Sequence, residues 1–124
     1  VNKKRPVNLD LSTLKYPPMA IVSILHRISG VVLFLLFPIM LYLFSQSLHS
    51  DATFHQLQMT LANPYSKLLL WVFSGALMLH VLAGIRHVLM DIGFGEGLLA
   101  GRRSAISVMI LAILSIIFLG IWIW

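Results

Sequence analysis

Two histidines seven residues apart, His80 and His87, and a serine one helical turn before an arginine, Ser23 and Arg27, are the residues whose types and spacing can do chemistry. On a helix, positions seven apart return to nearly the same face, and positions four apart lie one above the other. His80 stands out because it is the only histidine or charged side chain within 68–85. An imidazole in an apolar layer is costly without a partner, so it is a functional hypothesis by default. Three readings are open: axial ligation of a haem iron, a hydrogen bond across helices, and a step in a proton relay. Gly84, one turn beyond His80, removes a side chain beside it and leaves room for a flat cofactor.

Ser23 and Arg27 offer a hydroxyl and a fixed cation about 6 Å apart along a helix axis. Such donors can hold the carbonyl oxygen of a lipid-soluble quinone and stabilise the charge that develops on its reduction. The plainer alternative is a topology-setting arginine that reaches to the membrane boundary beside a helix-packing serine. His26, Arg27, Arg86 and His87 form a basic cluster that suits either haem propionates or lipid phosphates. Asp91 and Glu96 read as solvated loop acids rather than a proton route.

The elements that must position these groups follow from composition. Of 124 residues, 59% are hydrophobic and 10% charged, against roughly 45–50% and about 25% in soluble domains, so a soluble globular fold is not expected. Three stretches, 28–48, 68–85 and 104–124, contain no Asp, Glu, Lys or Arg. Each matches the roughly 20 residues needed to cross about 30 Å of hydrocarbon. The expected class is an all-α integral membrane protein with three transmembrane helices. Its segments are a cytoplasmic 1–19, helix 20–48, an outer loop 49–66, helix 67–90, a cytoplasmic loop 91–103 and helix 104–124. Residues 1–18 are polar and basic, so a cleaved leader is not expected.

Of nine Lys and Arg residues, Lys67 alone lies between the first two spans, so the positive-inside rule places the N-terminus and 86–103 in the cytoplasm and the C-terminus in the periplasm. Trp71, Trp122 and Trp124 then fall at the outer boundary, where indoles sit at headgroup level. The basic residues flank apolar blocks, so they argue for membrane lipid and against nucleic acid as a partner. Pro17 and Pro18 mark the start of the first helix, and Pro38 is expected to kink it. With no cysteine, the chain offers no thiolate ligand for an iron-sulfur cluster.

Measured along an ideal helix, His80 lies about 9 Å from Arg86 and roughly 13 Å from Trp71. Phe34 and Ile110 are expected at the same depth, His26 at the boundary, and His49 and His55 in the outer loop. His87 is about 10 Å farther along the same helix. A haem held by two histidines therefore needs a second chain.

Three ordered motifs, Arg5-Pro-Val-Asn-Leu-Asp10, Ser23-Ile-Leu-His-Arg27-Ile-Ser-Gly30 and His80-Val-Leu-Ala-Gly-Ile-Arg-His87 followed by Asp91, together resemble the cytochrome b subunits of bacterial succinate dehydrogenase, respiratory complex II. The resemblance runs from the N-terminal motif through all three spans. It implies that His80 is an axial ligand of haem b, with the other ligand from a second membrane anchor subunit packed around the same haem. It implies that Ser23 and Arg27 belong to a ubiquinone site, and that His26, Arg27 and His87 lie near the haem propionates. The implied partners are a flavoprotein subunit carrying FAD and an iron-sulfur subunit, in the bacterial inner membrane. Rival readings are a quinol:fumarate reductase anchor run in the opposite direction and a haem-free structural anchor. A small transporter fits poorly, because the spans lack paired polar groups for a solute path.

Overall fold

A computed structural model describes residues 16–124. The Arg5 to Asp10 motif and Lys3, Lys4 and Lys15 lie outside the described residues. Helix α1 spans Pro18–His49, and Pro17 before it is extended, at φ −68° and ψ 155°. Proline suits the first helical position because an amide there would have no intrahelical partner. The helix continues through Pro38 to Ser50, where the backbone becomes extended. At about 1.5 Å per residue, its 32 residues exceed the hydrocarbon thickness, so α1 is long enough to reach beyond it.

Ser50 also starts helix α2, Asp51–Leu61. Its Oγ accepts from the Thr53 amide at 3.1 Å, while Thr53 Oγ1 accepts from the Ser50 amide at 3.0 Å. This reciprocal capping box satisfies two otherwise orphaned donors and places a helix in much of the segment expected as a loop. Helix α3 spans Pro64–Asp91, with Asn63 Oδ1 accepting from the Tyr65 amide at 2.9 Å. At its far end the Phe94 amide bonds to Leu89 O and the Gly93 amide to Met90 O. That paired closure needs a left-handed residue, supplied by Gly93 at φ 99°.

Helix α4, Leu98–Ile123, starts before the charge-free stretch and carries Arg102 and Arg103 on its first turns. Absence of charge marks the part suited to hydrocarbon rather than the first helical residue, and arginine is a good helix former. Helices α1 and α3 pack together, as do α3 and α4, and α1 also reaches α4. The contacts gather the start of α1, the end of α3 and the start of α4 at one end of the bundle. The other end holds α2 and an edge-to-face Trp71–Trp124 pair, with ring centroids 5.9 Å apart.

Val22, Ala83 and Ala105 are fully buried where the long helices meet, with Val108 beside them. Small side chains let backbones approach closely, which matters where lipid supplies no hydrophobic drive between helices. Large apolar residues instead face outward along all three long helices, Phe34 and Ile121 among them. Each of these helices is long and apolar enough to cross a membrane.

Candidate functional site

His80 projects from α3 onto the 26–30 turn of α1. Its Nδ1 lies 3.1 Å from Ser29 Oγ and 3.2 Å from the His26 carbonyl oxygen. Ser29, 3% exposed, donates its hydroxyl to the same carbonyl at 2.8 Å. This i to i−3 bond is a usual way for a serine inside a helix to satisfy its hydroxyl. Because a carbonyl can only accept, the His80 contact is made by the tautomer with its proton on Nδ1. Nε2 then carries the free lone pair and makes no hydrogen bond among the described residues. No buried side-chain polar atom among them lacks a partner, so Nε2 opens on the surface of the chain.

Two glycines make this approach possible. A Cβ on Gly30 would stand 3.2 Å from His80 Cε1, and one on Gly84 would stand 3.4 Å from His26 Nε2. Each helix thus offers a notch to the other helix's histidine. The rings of His26 and His80 stack with centroids 4.1 Å apart and planes 11° apart. His87 follows on the other side of His26, at 5.2 Å and 60°. Stacked face to face, His26 and His80 cannot point nitrogens at one iron from opposite sides. Among the described residues, no three His, Cys, Asp or Glu side chains are placed to hold a bare metal ion.

Three expectations change here. His80 is level with Ser29 and Gly30 rather than Phe34, and His26 meets it instead of standing apart at a boundary. Equal depth for Phe34 and His80 takes Arg27 and Arg86 as equivalent membrane edges, whereas the helices pack with Arg27 about one turn deeper. The space beside Gly84 receives the His26 imidazole. Arg86 leaves the expected basic cluster: only 5% exposed, it donates from Nε to Ser104 Oγ at 3.0 Å and from Nη2 to Gly101 O at 3.2 Å. At 3.6 residues per turn, Arg86 lies well round the helix from His80 and His87, facing α4 instead of α1.

Ser23 and Arg27 flank His26 on α1. Arg27 is exposed, Ser23 is half-buried, and neither side chain makes a hydrogen bond or ion pair among the described residues. Their donors therefore remain available to a ligand or to another chain.

Over residues 1–121 the sequence matches the family of succinate dehydrogenase/fumarate reductase transmembrane subunits. The chain belongs to this family. It is 48% identical to the succinate dehydrogenase cytochrome b556 subunit of Coxiella burnetii, with 100% of both chains covered. The subunit of the same name from Rickettsia bellii is 34% identical over 98% of this chain and 94% of its own length. That from Rickettsia typhi is 32% identical over 92% and 89%. Family membership and the three long apolar helices together make the chain a multi-pass membrane protein.

Sequence reasoning did not single out Ser29 and Gly30, although both stand in a motif that it noted. A serine three residues after a histidine and followed by glycine was the available signal. Its meaning depends on His80, 51 residues away in the chain.

Proposed function

We propose that this family member is a membrane-anchoring cytochrome b subunit of succinate dehydrogenase, supplying one axial ligand of haem b and part of a ubiquinone site. The observation that carries this reading is the His80 imidazole, held at Nδ1 by Ser29 and the His26 carbonyl while Nε2 opens outward. Histidines that bind metals usually donate their second nitrogen to a carbonyl or another fixed acceptor, which sets the tautomer and ring angle. These donors fit a haem, which brings four nitrogens of its own and asks the protein for axial ones. Because His26 is stacked on His80, His80 would hold the haem iron together with a residue of a second anchor subunit.

When bound, haem b supplies one-electron storage. This chain's residues do the rest of its share: Ser29 and the His26 carbonyl orient His80, while His26 and His87 extend an edge of imidazoles suited to hydrogen-bonding the haem propionates. Arg27 and Ser23, one turn apart, orient a quinone oxygen and stabilise its developing charge. Electron relay through iron-sulfur clusters belongs to a soluble partner subunit, since this chain has no cysteine, and succinate oxidation on FAD belongs to another, since this all-helical chain has no glycine-rich βαβ unit. The end carrying Arg27, Arg102 and Arg103 faces the cytoplasm of a bacterial inner membrane, with the Trp71–Trp124 end outward.

The test is a dithionite-reduced minus oxidised spectrum of the complex purified through a tag on this chain, with its subunits identified. A low-spin b-type spectrum in the wild type that is lost or shifted in His80→Leu is expected. Unchanged haem content and spectrum in that variant would remove the ligand assignment, and an intact haem-free wild-type complex would leave a structural anchor. Rates with succinate plus quinone against fumarate plus quinol decide the working direction, which the family description leaves open.

A further inference from the structure

On the side of the bundle where α3 meets α4, Arg86 lines a groove of about 430 Å³ together with Ser104 and Ser107. That volume falls within the roughly 300–1,000 Å³ of small-ligand sites. The groove runs from Phe94 in the loop after α3 to Leu82 and Leu111 toward the middle of the helices. The guanidinium and hydroxyls lie at mid-length, with Leu82, Val108 and Leu111 on the deep side and Leu89, Met90 and Phe94 toward the helix ends.

Arg86 is the second pointer to a ligand. Its side chain is 5% exposed, and its two hydrogen bonds go to neutral oxygens of Gly101 and Ser104. Neither oxygen neutralises the cation, and the residue makes no ion pair among the described residues. Nη1 has no hydrogen bond there, and because no buried polar side-chain atom is unpartnered, Nη1 is accessible. A buried cation without a counter-charge is costly, and guanidinium groups form strong charge-assisted bonds to phosphate. Arg103, exposed and one turn before Ser107 on α4, adds positive charge beside the groove.

We propose that this groove binds an anionic phospholipid, with its phosphate at Arg86 Nη1 and an acyl chain along Leu82, Ile85 and Leu111. The site is separate from the histidine face of α3, so it does not depend on whether His80 binds haem. A zwitterionic lipid fills the apolar part equally well but carries no net negative charge to the arginines.

The experiment is native mass spectrometry of the complex purified through this chain, delipidated and then titrated with phosphatidylglycerol or phosphatidylcholine. Wild type should hold one phosphatidylglycerol per copy of this chain more tightly than phosphatidylcholine, by about tenfold. Leu111→Trp, which fills the groove without touching the Arg86 hydrogen bonds, should lose that bound lipid, and Arg103→Gln should weaken the preference. Equal lipid binding in wild type and Leu111→Trp, or no headgroup preference, would overturn the proposal. So would crosslinking of Leu111→Cys to a partner subunit's helix, or labelling of the groove by a photoreactive quinone that phosphatidylglycerol does not displace. Intact subunit composition of Leu111→Trp on the same spectra separates loss of lipid from loss of fold.

Discussion

The seam between α1 and α3 and the seam between α3 and α4 are each notched by two glycines, yet differ in what fills the notches. At the first, Gly30 receives His80 and Gly84 receives His26. At the second, Gly75 receives Ile116 and Gly120 receives Trp71, whose indole donates to Ile116 O at 2.8 Å. Close backbone approach alone is therefore ordinary membrane-helix packing. The first seam differs because histidines fill its glycine notches, one of them held at Nδ1 and open at Nε2, where an isoleucine and an indole fill those of the second. Trp71, with a single donor, is satisfied once it bonds, whereas His80 keeps Nε2 free and Arg27 keeps its whole guanidinium free.

Arg27→Ala gives the largest expected effect on turnover and probes the open side of the first seam. If Arg27 serves the quinone as proposed, its loss should lower quinone reduction by about 10²-fold or more. Dye reduction by the soluble subunits should stay near wild type. Parallel loss of both activities would instead show that the assembly had come apart, and unchanged quinone turnover would make Arg27 a topology residue.

Ser29→Ala and Ser104→Ala sharpen the comparison at one remove. Both hydroxyls donate to a carbonyl three residues back in their own helix, to His26 O and Gly101 O. Only Ser29 also meets His80. Its loss should weaken haem retention about 10- to 100-fold, as for other residues that orient a metal ligand, and shift the haem midpoint potential. Ser29→Thr, which keeps the hydroxyl, should recover much of the signal. Ser104→Ala also leaves the buried Arg86 Nε without its acceptor, so it should cost about 1–3 kcal/mol of stability and leave the haem spectrum unchanged. Identical haem behaviour in the two alanine variants would reduce Ser29 to packing.

The spans and His80 were legible because they rest on local facts: runs without charge, and one histidine inside such a run. The α2 helix was less so, since its capping box at Ser50 and Thr53 lies in a segment whose polarity reads equally as loop. The depth of His80 and the direction of Arg86 were not legible. Both depend on how far one helix slides and turns against another, which is set by the Gly30, Gly84 and Gly101 contacts rather than by any single helix. The 3.6-residue period puts Arg86 and His87 on different faces, but without knowing which face meets α1, that separation has no direction.

Gly30→Ala and Gly75→Ala make the finest test, because the added methyl meets the same clearance in both seams: 3.2 Å to His80 Cε1 and 3.2 Å to Ile116 Cγ1. Either neighbour must give by a few tenths of an ångström. Ile116 can move within an apolar layer, and alanine is intrinsically favoured over glycine in a helix by about 1 kcal/mol, so Gly75→Ala should change stability little. His80 is tied at Nδ1 to two oxygens, so the same displacement must turn the ring and move Nε2. Gly30→Ala should therefore leave assembly intact while shifting the reduced haem band and the midpoint potential, and Gly75→Ala should shift neither. Equal spectra in both variants would mean that the His80 ring is free to yield, which its hydrogen bonds to Ser29 and the His26 carbonyl argue against.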